Sequence, residues 1–154
     1  MEHALFSRRL RTEDESRSFA QKIADLLGVG DVVLLEGDIG AGKTFFARAA
    51  ILHLLGYPED VPSPTFTIVQ SYSTKIGEIW HCDLYRLTSP DEAIELGLDE
   101  AFEEAICLIE WPDRLGDLCP ETALRLHFTA GETEHKVVAF GSSTWLNRLE
   151  NVIE

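Results

Sequence analysis

The run Gly37-Asp38-Ile39-Gly40-Ala41-Gly42-Lys43-Thr44 holds residue types suited to gripping a phosphate chain. It satisfies the phosphate-loop pattern G-x-x-x-x-G-K-[ST] at each fixed position. Glycines at 37, 40 and 42 let a backbone wrap an anion without Cβ clashes. Inward-turned peptide N–H groups would meet phosphate oxygens, aided by the dipole of a following helix. Lys43 is spaced to reach the β and γ phosphates, and the Thr44 hydroxyl to ligate Mg²⁺.

The flanks support that chemistry. Asp31-Val32-Val33-Leu34-Leu35-Glu36 reads as a buried parallel strand. Phe45 to Leu55 reads as a helix stopped by Gly56 and Pro58. Mg²⁺ beside phosphates takes one or two carboxylates, and open α/β sheets gather ligands at the carboxyl ends of their strands. Asp83 ends one apolar run, Glu78 to Asp83, and Glu110 ends another, Ile106 to Glu110. Thr44 and Asp83 are therefore the first choices for the metal. Glu110 has two open roles: binding Mg²⁺ through water, or orienting an attacking water. The stiff loop Ser63-Pro64-Thr65-Phe66 lies where a switch threonine responds to a γ-phosphate in P-loop GTPases. Thr65 is accordingly a candidate sensor, although its position alone is as well explained by the start of a strand.

The elements alternate. Ala4 to Arg9 reads as a strand, and Thr12-Glu13-Asp14-Glu15 as a capping box opening a helix to about Leu27, stopped by Gly28. Strands are expected at Phe66–Ser73 and Glu78–Asp83, around a turn at Lys75-Ile76-Gly77. A short helix follows at Pro90–Leu96, then a strand at Ala105–Glu110. Thr122–Phe128 and Lys136–Phe140 form a hairpin turning near Gly131, and Ser142 caps a last helix. The plan is one α/β domain over residues 1–154, P-loop NTPase-like and three-layered, its sheet mainly parallel with antiparallel hairpins.

Charge and cysteine content narrow the setting. Among 154 residues, 27 acidic side chains outnumber 13 basic ones, giving a net charge of −14. Nucleic-acid affinity rests on Lys and Arg neutralising phosphates, so gripping RNA or DNA alone is disfavoured. An acidic surface suits docking to a basic protein partner, although solubility is the commoner reason for acidity. Cys82, Cys107 and Cys119 form no CxxC pair, which suits core thiols in a reducing cytoplasm. No run of 18 apolar residues suggests a membrane span, and the N-terminus lacks a signal-peptide plan.

Four stretches together resemble the TsaE (YjeE) family of bacterial ATPases in tRNA threonylcarbamoyladenosine synthesis. They are the phosphate loop, Ser63-Pro64-Thr65-Phe66, His81-Cys82-Asp83-Leu84-Tyr85-Arg86-Leu87, and Ile106-Cys107-Leu108-Ile109-Glu110-Trp111-Pro112. The resemblance runs from about Thr12 to Phe140. It implies ATP and Mg²⁺ as cofactors. It also implies TsaD-like and TsaB-like proteins as partners, with tRNA reached only through them. Where family members often carry a second Thr, this chain has Phe45, leaving only its backbone N–H for the α-phosphate. Thr12 is a candidate neighbour of the base, although capping alone explains it. Tyr85 and Arg86 are open between a partner contact and a structural role; Trp111 is a candidate cover for the nucleotide, and His81 reads as structural.

Guanine specificity is not supported. Thr74-Lys75-Ile76-Gly77 has Gly where a guanine reader needs Asp, and it precedes the Asp83 strand. Two other functions compete with a partner-dependent ATPase. A small-molecule kinase needs an Arg-rich lid, and between Leu87 and Leu115 only Arg114 is present. A non-hydrolysing nucleotide-dependent scaffold would release no phosphate.

Overall fold

Val32, Val33, Leu34 and Leu35 are all buried because both faces of their strand are covered. In the computed structural model, which describes residues 3–38, 40–64 and 67–153, they form β2 (Val32–Glu36). Val33 and Leu35 enter one apolar cluster with α1 (Glu13–Ala24), α2 (Lys43–Leu55) and the C-terminal helices α5 (Ser143–Arg148) and α6 (Glu150–Ile153). Val32 and Leu34 enter a second, against α3 (Pro90–Glu95) and α4 (Leu98–Glu104). The expected continuous apolar strand is thus the shared floor of two cores.

The seven strands run in the order β1-β7-β6-β2-β5-β4-β3. They are β1 (His3–Leu10), β2, β3 (Val69–Thr74), β4 (Gly77–Asp83), β5 (Ile106–Glu110), β6 (Leu124–Ala130) and β7 (His135–Gly141). β6, β2, β5 and β4 are mutually parallel. The pairs β1–β7, β7–β6 and β4–β3 are antiparallel. The sheet is therefore mixed rather than mainly parallel, which corrects the expectation from the sequence. Short turns give β3–β4 and β6–β7, since a tight connection reverses the chain whereas parallel neighbours need a long crossover; β1–β7 instead pairs strands from the two ends of the chain.

Local signals place several ends. The Thr12 hydroxyl accepts from Glu15 N at 3.1 Å, and the Glu15 carboxylate reaches back to Arg11 N at 2.9 Å. The capping box forms, but its return bond falls one residue earlier than the usual N-cap amide. α1 ends at Ala24 rather than near Leu27, with Asp25 as its cap. α2 stops at Gly56, whose φ of 76° suits the left-handed cap and whose N–H donates to Leu52 O. The strand expected from Phe66 begins only at Val69. Phe66 lies outside the described residues, and Ile68, at φ 69°, breaks the extended run. Two short 3-10 turns over Pro112–Leu118, kinked at Gly116, had no counterpart in the sequence reading.

The parallel register positions the chemistry. Asp83 and Glu110 are paired on β4 and β5, and Leu35 of β2 pairs with Glu110. The carboxyl ends of three adjacent strands therefore meet where the loop after Glu36 leads into α2.

Thr12→Ala should remove the cap of α1 at a cost of about 1 kcal/mol. For a domain of this size that lowers Tm by about 2–4 °C, measured by thermal unfolding without nucleotide. An unchanged Tm would show that the cap contributes nothing to the folded state.

Candidate nucleotide-binding site

Packing and phosphate chemistry both constrain the loop between β2 and α2. Gly37 adopts φ 134°, and a Cβ there would stand 2.3 Å from the Phe128 carbonyl oxygen of β6. No side chain fits without moving a backbone. Gly42, at φ 113°, is the left-handed residue that opens α2, and a Cβ there would meet His135 at 3.4 Å. The turn is closed by Ala41 N donating to the Asp38 carbonyl at 3.1 Å. Ile39, expected in the cradle, lies outside the described residues, as does Thr65, the expected switch residue.

Lys43 is 5% exposed, although its side chain is cationic. Its Nζ donates to the Gly37 carbonyl at 2.6 Å and lies 3.6 Å from the centroid of the Trp111 ring. A desolvated cation over an indole face gains electrostatic attraction from the ring quadrupole. Burial lowers the Lys43 pKa, and the charges of Glu110, Asp83, Asp38 and Asp113 partly oppose that shift. Trp111 holds its place through an unusual backbone, with φ 59° in the left-handed region. Tyr85 packs on it at a centroid separation of 5.0 Å.

The carboxylates converge as the sequence suggested. The Thr44 hydroxyl donates to Glu110 Oε1 at 2.9 Å. The other Glu110 oxygen lies 2.7 Å from His81 Nε2. Asp83 Oδ1 accepts from Tyr85 N at 3.1 Å. Among the described residues the buried polar or charged side chains are Lys43, His81, Asp83 and Glu110. Among those same residues, no three His, Cys, Asp or Glu side chains form a metal cage of their own. The donor set still fits Mg²⁺, which keeps water and phosphate oxygens and needs few protein ligands. Thr44 and Asp83, with Glu110 beside them, are such a set.

A cavity of about 790 Å³ extends from this cluster. Gly40, Ala41, Gly42, Lys43, Thr44 and Phe45 line one end. Arg11, Thr12 and Ser16 also line it, as do Glu132 and Thr133 of the β6–β7 turn and His135 at the start of β7. Thr12 and Phe45 thus both reach the cavity. The hairpin residues were missed, and only the pairing of distant strands could reveal them. An ion pair anchors that turn, with Arg9 Nε donating to Glu134 Oε2 at 2.7 Å.

The remaining candidates take simpler places. Trp80 donates to Glu78 at 2.7 Å, and Trp145 is buried with its indole N–H on the Thr122 carbonyl. Cys82 and Cys107 are buried free thiols; burial pushes the first well up and the second to about 12. Arg114 lies with Cζ 5.8 Å from the Tyr85 ring. No helix among the described residues is long and apolar enough to cross a membrane.

The chain is similar to known proteins in sequence and in fold. Residues 10–138 match the family described as "Threonylcarbamoyl adenosine biosynthesis protein TsaE". The chain is 43% identical to the tRNA threonylcarbamoyladenosine biosynthesis protein TsaE of Rickettsia bellii, over 77% of this chain and 82% of that one. It is 37% identical to the Bacillus subtilis protein of the same name, over 80% and 78%. A crystal structure of Bacillus subtilis YdiB superposes with a TM-score of 0.81 at 29% identity, covering 98% of this chain and 95% of that one.

The lowered Lys43 pKa gives a pH dependence of known sign. The unfolded chain holds this proton more tightly than the folded one. Lys43 therefore contributes stability that rises as pH climbs from the lowered value to the ordinary lysine value. A polyphosphate placed beside Lys43 restores its proton affinity. Binding of ATP or pyrophosphate in that alkaline window should take up protons and weaken as pH increases. Calorimetry in buffers of different ionisation enthalpy measures the uptake. Binding without uptake there would separate Lys43 from the phosphates.

Proposed function

Because the chain belongs to the TsaE family, we propose that it is an ATP-binding, Mg²⁺-dependent ATPase on a P-loop NTPase-like fold. It serves threonylcarbamoyladenosine modification of tRNA in the cytoplasm, acting with TsaD-like and TsaB-like proteins. One observation carries the reading: Lys43, Thr44, Asp83 and Glu110 meet the phosphate loop at one end of a nucleotide-sized cavity. Each of those side chains has a role in that reaction and no evident part in another.

The mechanism follows from contacts that the site already makes. Lys43 exchanges the Gly37 carbonyl for β and γ phosphate oxygens, gaining charge-assisted hydrogen bonds. Backbone amides of the loop, with the N-terminus of α2, hold the remaining oxygens. Mg²⁺, when bound, neutralises charge developing on the phosphates. Thr44, through its hydroxyl oxygen, and Asp83, through its carboxylate, would hold that ion. Glu110, which accepts from the Thr44 hydroxyl in this structure, would accept a hydrogen bond from a water and orient it for in-line attack. Thr65 responds to the γ-phosphate, Trp111 and Tyr85 cover the site, and Thr12 lies beside adenine.

The acidic surface favours protein partners over direct tRNA contact. A net charge of −14 disfavours gripping phosphates. It suits docking to a basic face of the TsaD–TsaB-like pair, and that pair carries the tRNA.

Asp83→Asn should raise the Mg²⁺ concentration needed for half-maximal hydrolysis, since a ligand charge is lost. Glu110→Gln should cut turnover far more than ATP affinity. Phosphate-release assays across a Mg²⁺ titration check both, and wild-type behaviour in both variants would remove these carboxylates from the site.

The isolated chain should hydrolyse ATP slowly, with the partner pair accelerating it at low salt and tRNA alone leaving it unchanged. A transition-state cation supplied in trans is worth about 10³–10⁵ in rate in GTPases. Opposite-charge docking weakens as salt screens it. A fast isolated chain, or tight tRNA binding without partners, would overturn this reading; phosphate transfer to a small acceptor would instead identify a kinase.

A further inference from the structure

We infer that His81 is a positioning residue for Glu110, holding its carboxylate in line for the hydrolytic water. The inference rests on the role of Glu110 given above. His81 is fully buried, on β4 two residues before Asp83 and so on the same side of the strand. The β4–β5 register pairs Asp83 with Glu110 and His81 with Leu108. His81 therefore stands one step deeper in the sheet than the carboxylate pair. From there its Nε2 reaches Glu110 Oε2 at 2.7 Å.

The hydrogen-bond inventory fixes the direction of this contact. His81 Nδ1 is buried with no hydrogen-bond partner among the described residues. A buried N–H left unpaired is costly, because nothing repays its desolvation. A proton is accordingly assigned to Nε2, which donates to Glu110. Among the described residues, Glu110 has a side-chain donor on each oxygen, Thr44 on one and His81 on the other. The proposed reaction takes Thr44 away to the metal. His81 is then the side-chain donor that remains, and it fixes which oxygen faces the water. A glutamate without it would rotate about its terminal torsion, which has broad, weakly defined minima.

A purely structural histidine would affect stability alone. A positioning histidine lowers turnover, leaves ATP affinity near wild type, and acts through Glu110. His81→Leu removes the donor while keeping an apolar fill. His81→Gln keeps an N–H near the Nε2 position, and His81→Asn places one nearer Nδ1. Single-turnover hydrolysis and ATP affinity should be measured for these, for Glu110→Gln, and for the double variant His81→Leu/Glu110→Gln.

The expected pattern is a loss of turnover of about 10–100-fold in His81→Leu, the range seen when a partner orienting a functional ligand is removed. ATP affinity should stay within about twofold, since no nucleotide contact is removed. His81→Gln should restore most of the rate, and the double variant should be no slower than Glu110→Gln alone. If His81→Leu does not fold, His81→Gln active with His81→Asn slow supports the same conclusion, and equal rates for those two overturn it. Wild-type turnover in His81→Leu beside an inactive Glu110→Gln would make His81 packing alone. Wild-type turnover in Glu110→Gln would instead reject the role of Glu110 itself.

Discussion

Burying charge at the carboxyl edge of the parallel strands is the constraint on which the rest of this structure depends. Lys43, His81, Asp83 and Glu110 are between 0% and 7% exposed. Removing an ion from water costs several kcal/mol even after relaxation, and a buried polar group left without a hydrogen bond is costly as well. Each therefore needs a partner that only this arrangement supplies. Lys43 has a carbonyl, an indole face and the fields of four carboxylates. Glu110 has a hydroxyl and an imidazole. The partners come from β2's following loop, α2, β4 and β5. A register slip of one residue between β4 and β5 would turn these side chains to the opposite face and break the set.

Close backbone approach is the second requirement, and it explains why the antiparallel side of the sheet matters to the site. The phosphate loop does not stand free at the end of β2. It packs on β6, where the Phe128 carbonyl occupies the space that a Cβ at residue 37 would need. β6 pairs with β7 and β7 with β1. That run brings the β6–β7 turn to the cavity that the cap of α1 also lines. The same strands that dilute the parallel character of the sheet contribute to the lining of the cavity. Trp111 adds a cost of its own, since a non-glycine residue in the left-handed region is disfavoured by about 1–2 kcal/mol. Its contact with Lys43 and Tyr85 is what that geometry secures.

Much of this was legible in the sequence where the signal is local. The phosphate loop with its flanking strand and helix, the capping pair Thr12 and Glu15, and the glycine stop of α2 each depend on a few adjacent residues. Asp83 and Glu110 were visible because an acid ending an apolar strand is itself a local pattern. What escaped depends on partners far away in the chain. The balance of parallel and antiparallel strands is decided by how edge hairpins dock, not by any strand's composition. The lining formed by Glu132, Thr133 and His135 exists only because β7 pairs with β1. His81 read as structural because strand alternation shows its side but not its neighbour, and Glu110 lies 29 residues away. Ile68 interrupts an otherwise convincing β-rich run through a backbone conformation that its residue type disfavours.

The contacts around the phosphate loop also bear on how binding energy is used. Lys43 is held by a carbonyl oxygen and an aromatic face, both weaker electrostatic partners than a phosphate. Thr44 is held by a carboxylate, which accepts its proton, whereas a metal would take its oxygen. On the proposed function, nucleotide and metal therefore replace internal contacts rather than add to empty donors. The surplus comes from exchanging neutral partners of Lys43 for charged ones, roughly doubling the strength of its hydrogen bonds. Releasing Thr44 from Glu110 then links metal binding to the freeing of one carboxylate oxygen. Substrate binding and the readiness of Glu110 are coupled through a single hydroxyl. The buried side chains are thus satisfied by one another in this structure, and on the proposed function the same Glu110 oxygen that meets Thr44 is the one a water would use.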